Sequence, residues 1–228
     1  MQNDKKMDPQ RTIVLYTSKY GAAETYAQWI AEALGCQALP LAGFSKKELQ
    51  GYDTVIYGGG VQAGGVRGLE QFTKWIKGDL KLRQMAKRGT ISEAEAAGSG
   101  AFDRQYYIFA VGISLDSEEN RLQLRDINFD KNWLRELPCF FLPGAFDPAK
   151  LTGVDKAIIK VATKMFQDKP EAQAAAEDMQ VLRYFETGCD LIDRTRTTAL
   201  IEAVKSGVVP EEFRDTREPE PKKSFWKR

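Results

Sequence analysis

The sequence predicts an α/β fold built on a parallel sheet, and two observations carry that prediction. Short apolar runs rich in β-branched and aromatic residues recur along the chain, at 13–15, 52–57, 106–111 and 138–142. Between them lie longer segments with apolar residues at helical spacing, such as Leu69, Phe72 and Ile76. Strands alternating with helices make βαβ units, whose strands run parallel and whose crossovers are right-handed.

The elements follow in order. Residues 1–10 are polar and read as a flexible tail. The first strand is expected at 11–17 and the first helix at 21–34. A second strand follows at 37–41, then a short helix or turn at 45–50. A third strand at 52–57 is ended by Gly58-Gly59-Gly60. A helix over 68–77 precedes 82–104, a small-residue, charged and weakly apolar stretch that reads as an insertion or mobile loop. The fourth strand is expected at 106–111, helical structure in parts of 116–135, and the fifth strand at 138–142. Three more helices are expected near 152–167, 171–186 and 195–205. Residues 207–228 are charged and Pro-interrupted, and so are expected to be disordered. The domain thus spans 11–206.

Composition excludes several functions. The chain of 228 residues is 43% hydrophobic, enough for one sizeable domain with additions. Lys and Arg number 33 against 32 Asp and Glu, so no basic face for nucleic acid is expected. Histidine is absent, which removes Ser-His-Asp catalysis, His-ligated metals and imidazole proton shuttles. Cys36, Cys139 and Cys189 are odd in number and form no CxxC, so they read as reduced thiols, and no metal is expected. The opening MQNDKKMDPQ has no apolar run after it and no stretch approaches 18 apolar residues. The expectation is a cytoplasmic protein without a signal peptide or membrane span.

The segment TIVLYTSKYGAAETYAQWI, at 12–30, is the most informative. It reads as a strand, a hydroxyl-bearing turn and a helix N-terminus, an arrangement suited to phosphate. Free amides at a helix start point toward an anion and the helix dipole adds partial positive charge. Thr17, Ser18 and Thr25 offer hydroxyls, Lys19 offers charge, and Gly21 allows a close turn. Neither GxxxxGK[ST] nor GxGxxG is present here.

This segment resembles the phosphate loop of flavodoxins. Tyr16, Ser18, Gly21 and Ala27 match the pattern, while Ala23 stands where the family has Thr. Losing that neutral hydrogen bond would weaken binding by roughly 1 kcal/mol. The resemblance implies a flavodoxin-like doubly wound sheet of five parallel strands in the order 2-1-3-4-5, with extra C-terminal helices. It places FMN at the carboxyl ends of the strands, near the switch point between the first and third. Thr17, Ser18, Lys19, Tyr20, Gly21, Ala22 and Ala23 would cradle the phosphate. Gly59, Gly60, Val61, Gln62 and Ala63 would line one side of the flavin ring, and Val111, Gly112, Ile113 and Ser114 the other. The insertion at 82–104, which precedes the fourth strand, would emerge at the opposite end of the sheet. Neither ring-lining loop carries a stacking aromatic. No acid–base residue is assigned, although Tyr20 and Asp116 fall near the expected site.

The stretches YTSKYG, YDTVIYGGGVQAGGV, FAVG and FFLPGAFDPAKLTGVDKAIIKVATKMF further resemble proteins related to the menaquinone-dependent protoporphyrinogen dehydrogenases, over 11–205 without 82–104. That branch implies non-covalent FMN and two-electron oxidation of a planar tetrapyrrole coupled to a quinone. The chain departs from it at Ala23, Gln62 and the insertion. Two alternatives stand beside this reading: a one-electron carrier, and a non-enzymatic binding module with weak FMN affinity. The helix near 152–167 places Val154, Ala157, Ile158, Val161, Ala162 and Met165 on one face and Lys156, Lys160 and Lys164 on another. It reads as a helix covering the sheet with a solvated lysine face, or as one making weak contact with a membrane surface and helping to receive a quinone.

Overall fold

A computed structural model describes residues 7–92, 94–95, 104–167 and 176–217. Five parallel strands form its centre: β1 (Thr12–Thr17), β2 (Gln37–Pro40), β3 (Thr54–Gln62), β5 (Gln105–Gly112) and β6 (Cys139–Pro143). They lie in the order β2-β1-β3-β5-β6, so the expected doubly wound topology is present. A short return strand, β4 (Gly65–Val66), pairs antiparallel with the end of β3.

Side chains alternate along each inner strand with period two. Ile13, Leu15, Val55, Tyr57, Ile108 and Ala110 face one layer, which holds α2 (Leu69–Lys87), α3 (Glu118–Asn128) and α4 (Asn132–Arg135). Val14, Ile56, Tyr107, Phe109 and Val111 face the other, which holds α1 (Ala22–Leu34) and α7 (Thr198–Ser206). Burial on both faces explains why these strands read as continuous apolar runs.

Several boundaries differ from the sequence expectation. The glycine run does not end the third strand. β3 continues to Gln62 because its glycines serve close packing: a Cβ on Gly58 would lie 1.8 Å from Cζ of the buried Phe109 ring, and one on Gly59 would lie 2.5 Å from the Arg67 carbonyl oxygen. α2 runs to Lys87 rather than stopping near 77, since Leu80 continues the stripe of Leu69, Phe72 and Ile76. Of the expected insertion, 93 and 96–103 lie outside the described residues. Arg104, just before β5, pairs with Asp79 of α2 at 3.0 Å.

After β6 the chain forms a small ribbon, β7 (Ala145–Phe146) with β8 (Cys189–Asp190), which the sequence did not signal. Between its strands lie α5 (Gly153–Gln167) and α6 (Ala176–Thr187). α5 does not cover the sheet with its valine face as expected: Val154 and Val161 are 72% and 61% exposed. Cys139 is fully buried in β6, and burial pushes its thiol up to about 12. Cys36 lies just before β2, half-buried, with its thiol pushed to about 11 by the same cause.

Beyond α7 the described residues 207–217 pack back onto the molecule, where the composition led to an expectation of disorder. Phe213 stacks on Phe140 of β6 with ring centroids 4.2 Å apart. Asp215, its side chain only 2% exposed, accepts from Arg217 at 2.8 Å and from Arg135 at 3.3 Å. Arg217 also reaches Asp126 at 2.8 Å. Residues 218–228 lie outside the described set.

Two outcomes follow from this packing. Gly58→Ala should destabilise the protein by about 2–3 kcal/mol in urea denaturation, because the aromatic ring beneath it is rigid and buried. Gly58→Ala combined with Phe109→Leu should recover part of that loss. Hydrogen bonds from Arg217 hold the Asp215 carboxyl at about 2. Its folded value lies below its unfolded one, so its contribution is fully present above the ordinary carboxylate range of about 4 and is lost as pH falls toward about 2. The stability difference between wild type and Asp215→Asn should therefore shrink across that window, and a constant difference would refute the clasp.

Candidate functional site

The loops after β1, β3 and β5 meet at the carboxyl edge of the sheet. In the first, Thr17 closes β1 and Ser18, Lys19 and Tyr20 lead to Gly21, which caps α1 at φ +97°. A side chain at that φ would be strained, so glycine suits the turn. The Gly21 N–H donates to Ser18 Oγ at 3.1 Å, leaving the Ser18 hydroxyl proton for another acceptor. Ala22 and Ala23 form the first helical turn, whose amides have no partner within the helix. The Thr25 hydroxyl, expected as a donor to a ligand, instead donates to the Gly21 carbonyl at 3.2 Å. Ala23 is buried against the sheet and presents nothing to the cleft but its backbone.

The second wall is a hairpin rather than a flexible loop. Gly60, Val61 and Gln62 end β3, and Ala63 and Gly64, both at positive φ, make the two-residue turn to β4. Asn128 of α3 clamps it, donating from Nδ2 to the Gly64 carbonyl at 2.7 Å and accepting the Val66 N–H at 2.9 Å. Gly59 faces this return strand, so only its backbone bears on the cleft. The Tyr57 hydroxyl donates to the Arg67 carbonyl at 2.5 Å and lies 2.9 Å from Thr17 Oγ1, tying the hairpin to the end of β1. Burial pushes the Tyr57 phenol up to about 12, so it keeps its proton at neutral pH.

The third wall runs from Val111 through Gly112, Ile113 and Ser114. Gly112 sits against Val61 and Leu115, and its carbonyl accepts the Gly144 N–H at 2.9 Å. Asn120 and Arg121 of α3 hold the carbonyls of Ser114 and Leu115 at 3.0 and 2.5 Å. Asp116 lies on the exposed side of this loop, paired with Arg196 at 2.7 Å.

A fourth element reaches the same place. Asp155, in the first turn of α5, is 3% exposed. Its Oδ2 accepts from Lys19, from the Tyr20 hydroxyl, and from the Thr152 hydroxyl at 2.7 Å. Its Oδ1 accepts from Gln62 Nε2 at 2.6 Å. Gln62 in turn accepts from Arg67 Nη1, while Arg67 Nε is buried without a hydrogen-bond partner among the described residues. Hydrogen bonds from Lys19, Thr152 and Tyr20 hold the Asp155 carboxyl well below the usual carboxylate range.

Residues 13–89 match the flavodoxin domain family. The match covers β1 to α2, and so includes the first two walls of the cleft. No curated protein sequence matches the chain. Among solved structures, rubredoxin oxygen:oxidoreductase from Desulfovibrio gigas is 13% identical, with a TM-score of 0.33 over 77% of this chain. The chain spans only 36% of that protein's length. A flavodoxin from Archaea is 13% identical with a TM-score of 0.36, covering 67% of this chain and 96% of its own. Flavodoxin 2 from Bacillus cereus is 14% identical with a TM-score of 0.37, covering 66% and 94%. Strand order within the chain itself carries the fold assignment.

The structure brings the three groups named from sequence to one edge of the sheet, around a common cleft. Asp155, Thr152 and Arg67 were missed. Thr152-Gly153-Val154-Asp155 carries the signature of a capping box, a local pattern that gives no hint of a partner elsewhere in the chain. Removing the clamp with Asn128→Ala should cost about 1–3 kcal/mol, since the Val66 amide loses its acceptor. It should also accelerate amide exchange across 62–66, and unchanged exchange would show that the hairpin holds itself.

Proposed function

We propose that this chain is an FMN-binding oxidoreductase. The observation that carries the reading is the meeting of the α1 N-terminus with the β3 hairpin at the switch point between β1 and β3, where doubly wound sheets bind ligands. The residues present fit the cofactor. Positions for a Cβ on Gly21 and on Gly60 have nothing within 4 Å, so backbone is open at both the phosphate turn and the ring wall. Ser18 has a proton to donate, Lys19 has charge, and Arg67 Nε is a buried donor lacking an acceptor among the described residues. Ser18 to Ala22 would hold the phosphate through backbone amides and the helix dipole. Gly60, Val61 and Gln62 would support one side of the ring, and Gly112, Ile113 and Ser114 the other.

FMN, when bound, supplies the hydride and electron chemistry, and the protein supplies binding, orientation and electrostatics. The Tyr57 phenol keeps its proton and serves the scaffold, and the Tyr20 hydroxyl is committed to Asp155. Proton exchange with solvent then falls to no side chain identified in the cleft. The finer reading, oxidation of a planar tetrapyrrole coupled to a quinone, draws its support from the sequence resemblance at 144–165. The exposed Val154 and Val161 beside Lys156, Lys160 and Lys164 support weak, salt-dependent contact with an anionic membrane surface.

One further reading has specific support. Ala23 offers no hydroxyl and Asp155 puts negative charge beside the cradle, both of which favour a binding module of weak FMN affinity. The absorbance of purified protein, before and after FMN is added and the excess removed, separates the two. Retained flavin absorbance is expected, and its absence would leave the binding module. Ser18→Ala with Gly21→Val should weaken FMN affinity more than about tenfold, by loss of a donor and by strain at positive φ. Unchanged affinity in a fluorescence-quenching titration would put the phosphate elsewhere.

A further inference from the structure

Asp155 joins parts of the chain that a ligand in the cleft would have to separate. Lys19 and Tyr20 belong to the phosphate turn, Gln62 to the ring wall, and Thr152 to the approach to α5. A carboxylate in a first helical turn ordinarily serves its own cap or faces water. This one is removed from water and spans the gap between the β1–α1 turn and the end of β3. It also takes up the cation that a phosphate at the α1 N-terminus would use. Two anions competing for Lys19 at close range repel one another.

What seats Asp155 is polar rather than apolar. Among the described side chains of α5 none belongs to either core cluster, Ile158 and Ile159 are half-buried, and Val154 and Val161 face solvent. Gly153, between Thr152 and Val154, has nothing within 4 Å of a Cβ position, so no neighbour packs against that side of the backbone at the start of α5. Lifting this end of the helix would break the contacts of Asp155 with Lys19, Tyr20 and Gln62.

We propose that Asp155 is an internal latch on the flavin cleft. Seated on Lys19, Tyr20 and Gln62 it keeps the cleft shut, and a phosphate-bearing ligand gains access when the N-terminal end of α5 swings away. The inference rests on the FMN reading given above and deepens it by assigning a control to the same site. A latch that leaves only a fraction of molecules open raises the apparent Kd by the reciprocal of that fraction.

The test compares wild type with Asp155→Asn, which keeps the shape and removes the charge. FMN affinity is read by fluorescence quenching, and thermal shift with inorganic phosphate probes the cradle without a ring. Asp155→Asn should bind FMN at least about fivefold more tightly. Equal or weaker binding by the variant overturns the latch. Should neither protein bind FMN, the FMN reading fails and phosphate decides the latch: greater protection of Asp155→Asn upholds it, and equal protection, none included, overturns it. Thr152→Ala, which removes one donor outside the cradle, takes the place of Asp155→Asn if that variant does not fold. It should move both readouts in the same direction by a smaller amount, and no movement overturns the proposal.

Discussion

Burial of the central sheet on both faces governs what the rest of the molecule can do. β1, β3 and β5 are covered by helices on either side, so their side chains are committed to the two cores. Uncommitted backbone donors occur only where strands end and helices begin, because buried amides must otherwise be paired. Parallel strands put those ends together at one edge. A cleft at that edge is thus a consequence of topology, and only its lining is a matter of local sequence. Close packing of β3 against Phe109 serves the same end, since the bare backbone that admits the ring at Gly58 continues into the open position at Gly60.

How legible the fold was from sequence depended on the range over which each signal acts. Apolar runs and helical stripes are local, and they placed the strands and helices, while the strand order came from the family resemblance. The glycine run misled because its physical reason is non-local: Gly58 is required by a ring fifty-one positions later in the chain, which no local turn rule registers. The β7–β8 ribbon joins residues more than forty positions apart in two-residue strands, too short to show alternation. The ordered stretch after α7 depends on one aromatic and one carboxylate, Phe213 and Asp215, set among charged residues that by composition read as solvated.

The site divides in the same way. Ser18, Gly21 and the helix start could be read directly because strand, turn and cap are contiguous. Asp155 could not, since it meets Lys19 across 136 positions and its own neighbourhood explains it as a cap. Arg67 was hidden for a related reason. Its side chain matters only because the chain reverses at Ala63-Gly64 and returns it beside Gln62.

Charge in the cleft ties these observations together. Lys19 pairs directly with the Asp155 carboxylate, Arg67 is linked to it only through Gln62, and the described side chains of α5, which carries that carboxylate, belong to neither core. With Asp155 seated, Lys19 is neutralised, and an arriving anion finds mainly the helix dipole and the amides of α1, an attraction of modest size. With Asp155 withdrawn, Lys19 would add a full charge beside the helix dipole, and the attraction for an anion would rise. On the proposed latch, the affinity of the cradle would depend on where α5 sits as much as on the phosphate turn itself. Ala23, which removes a neutral hydroxyl and leaves the charges untouched, is the smaller perturbation of the two.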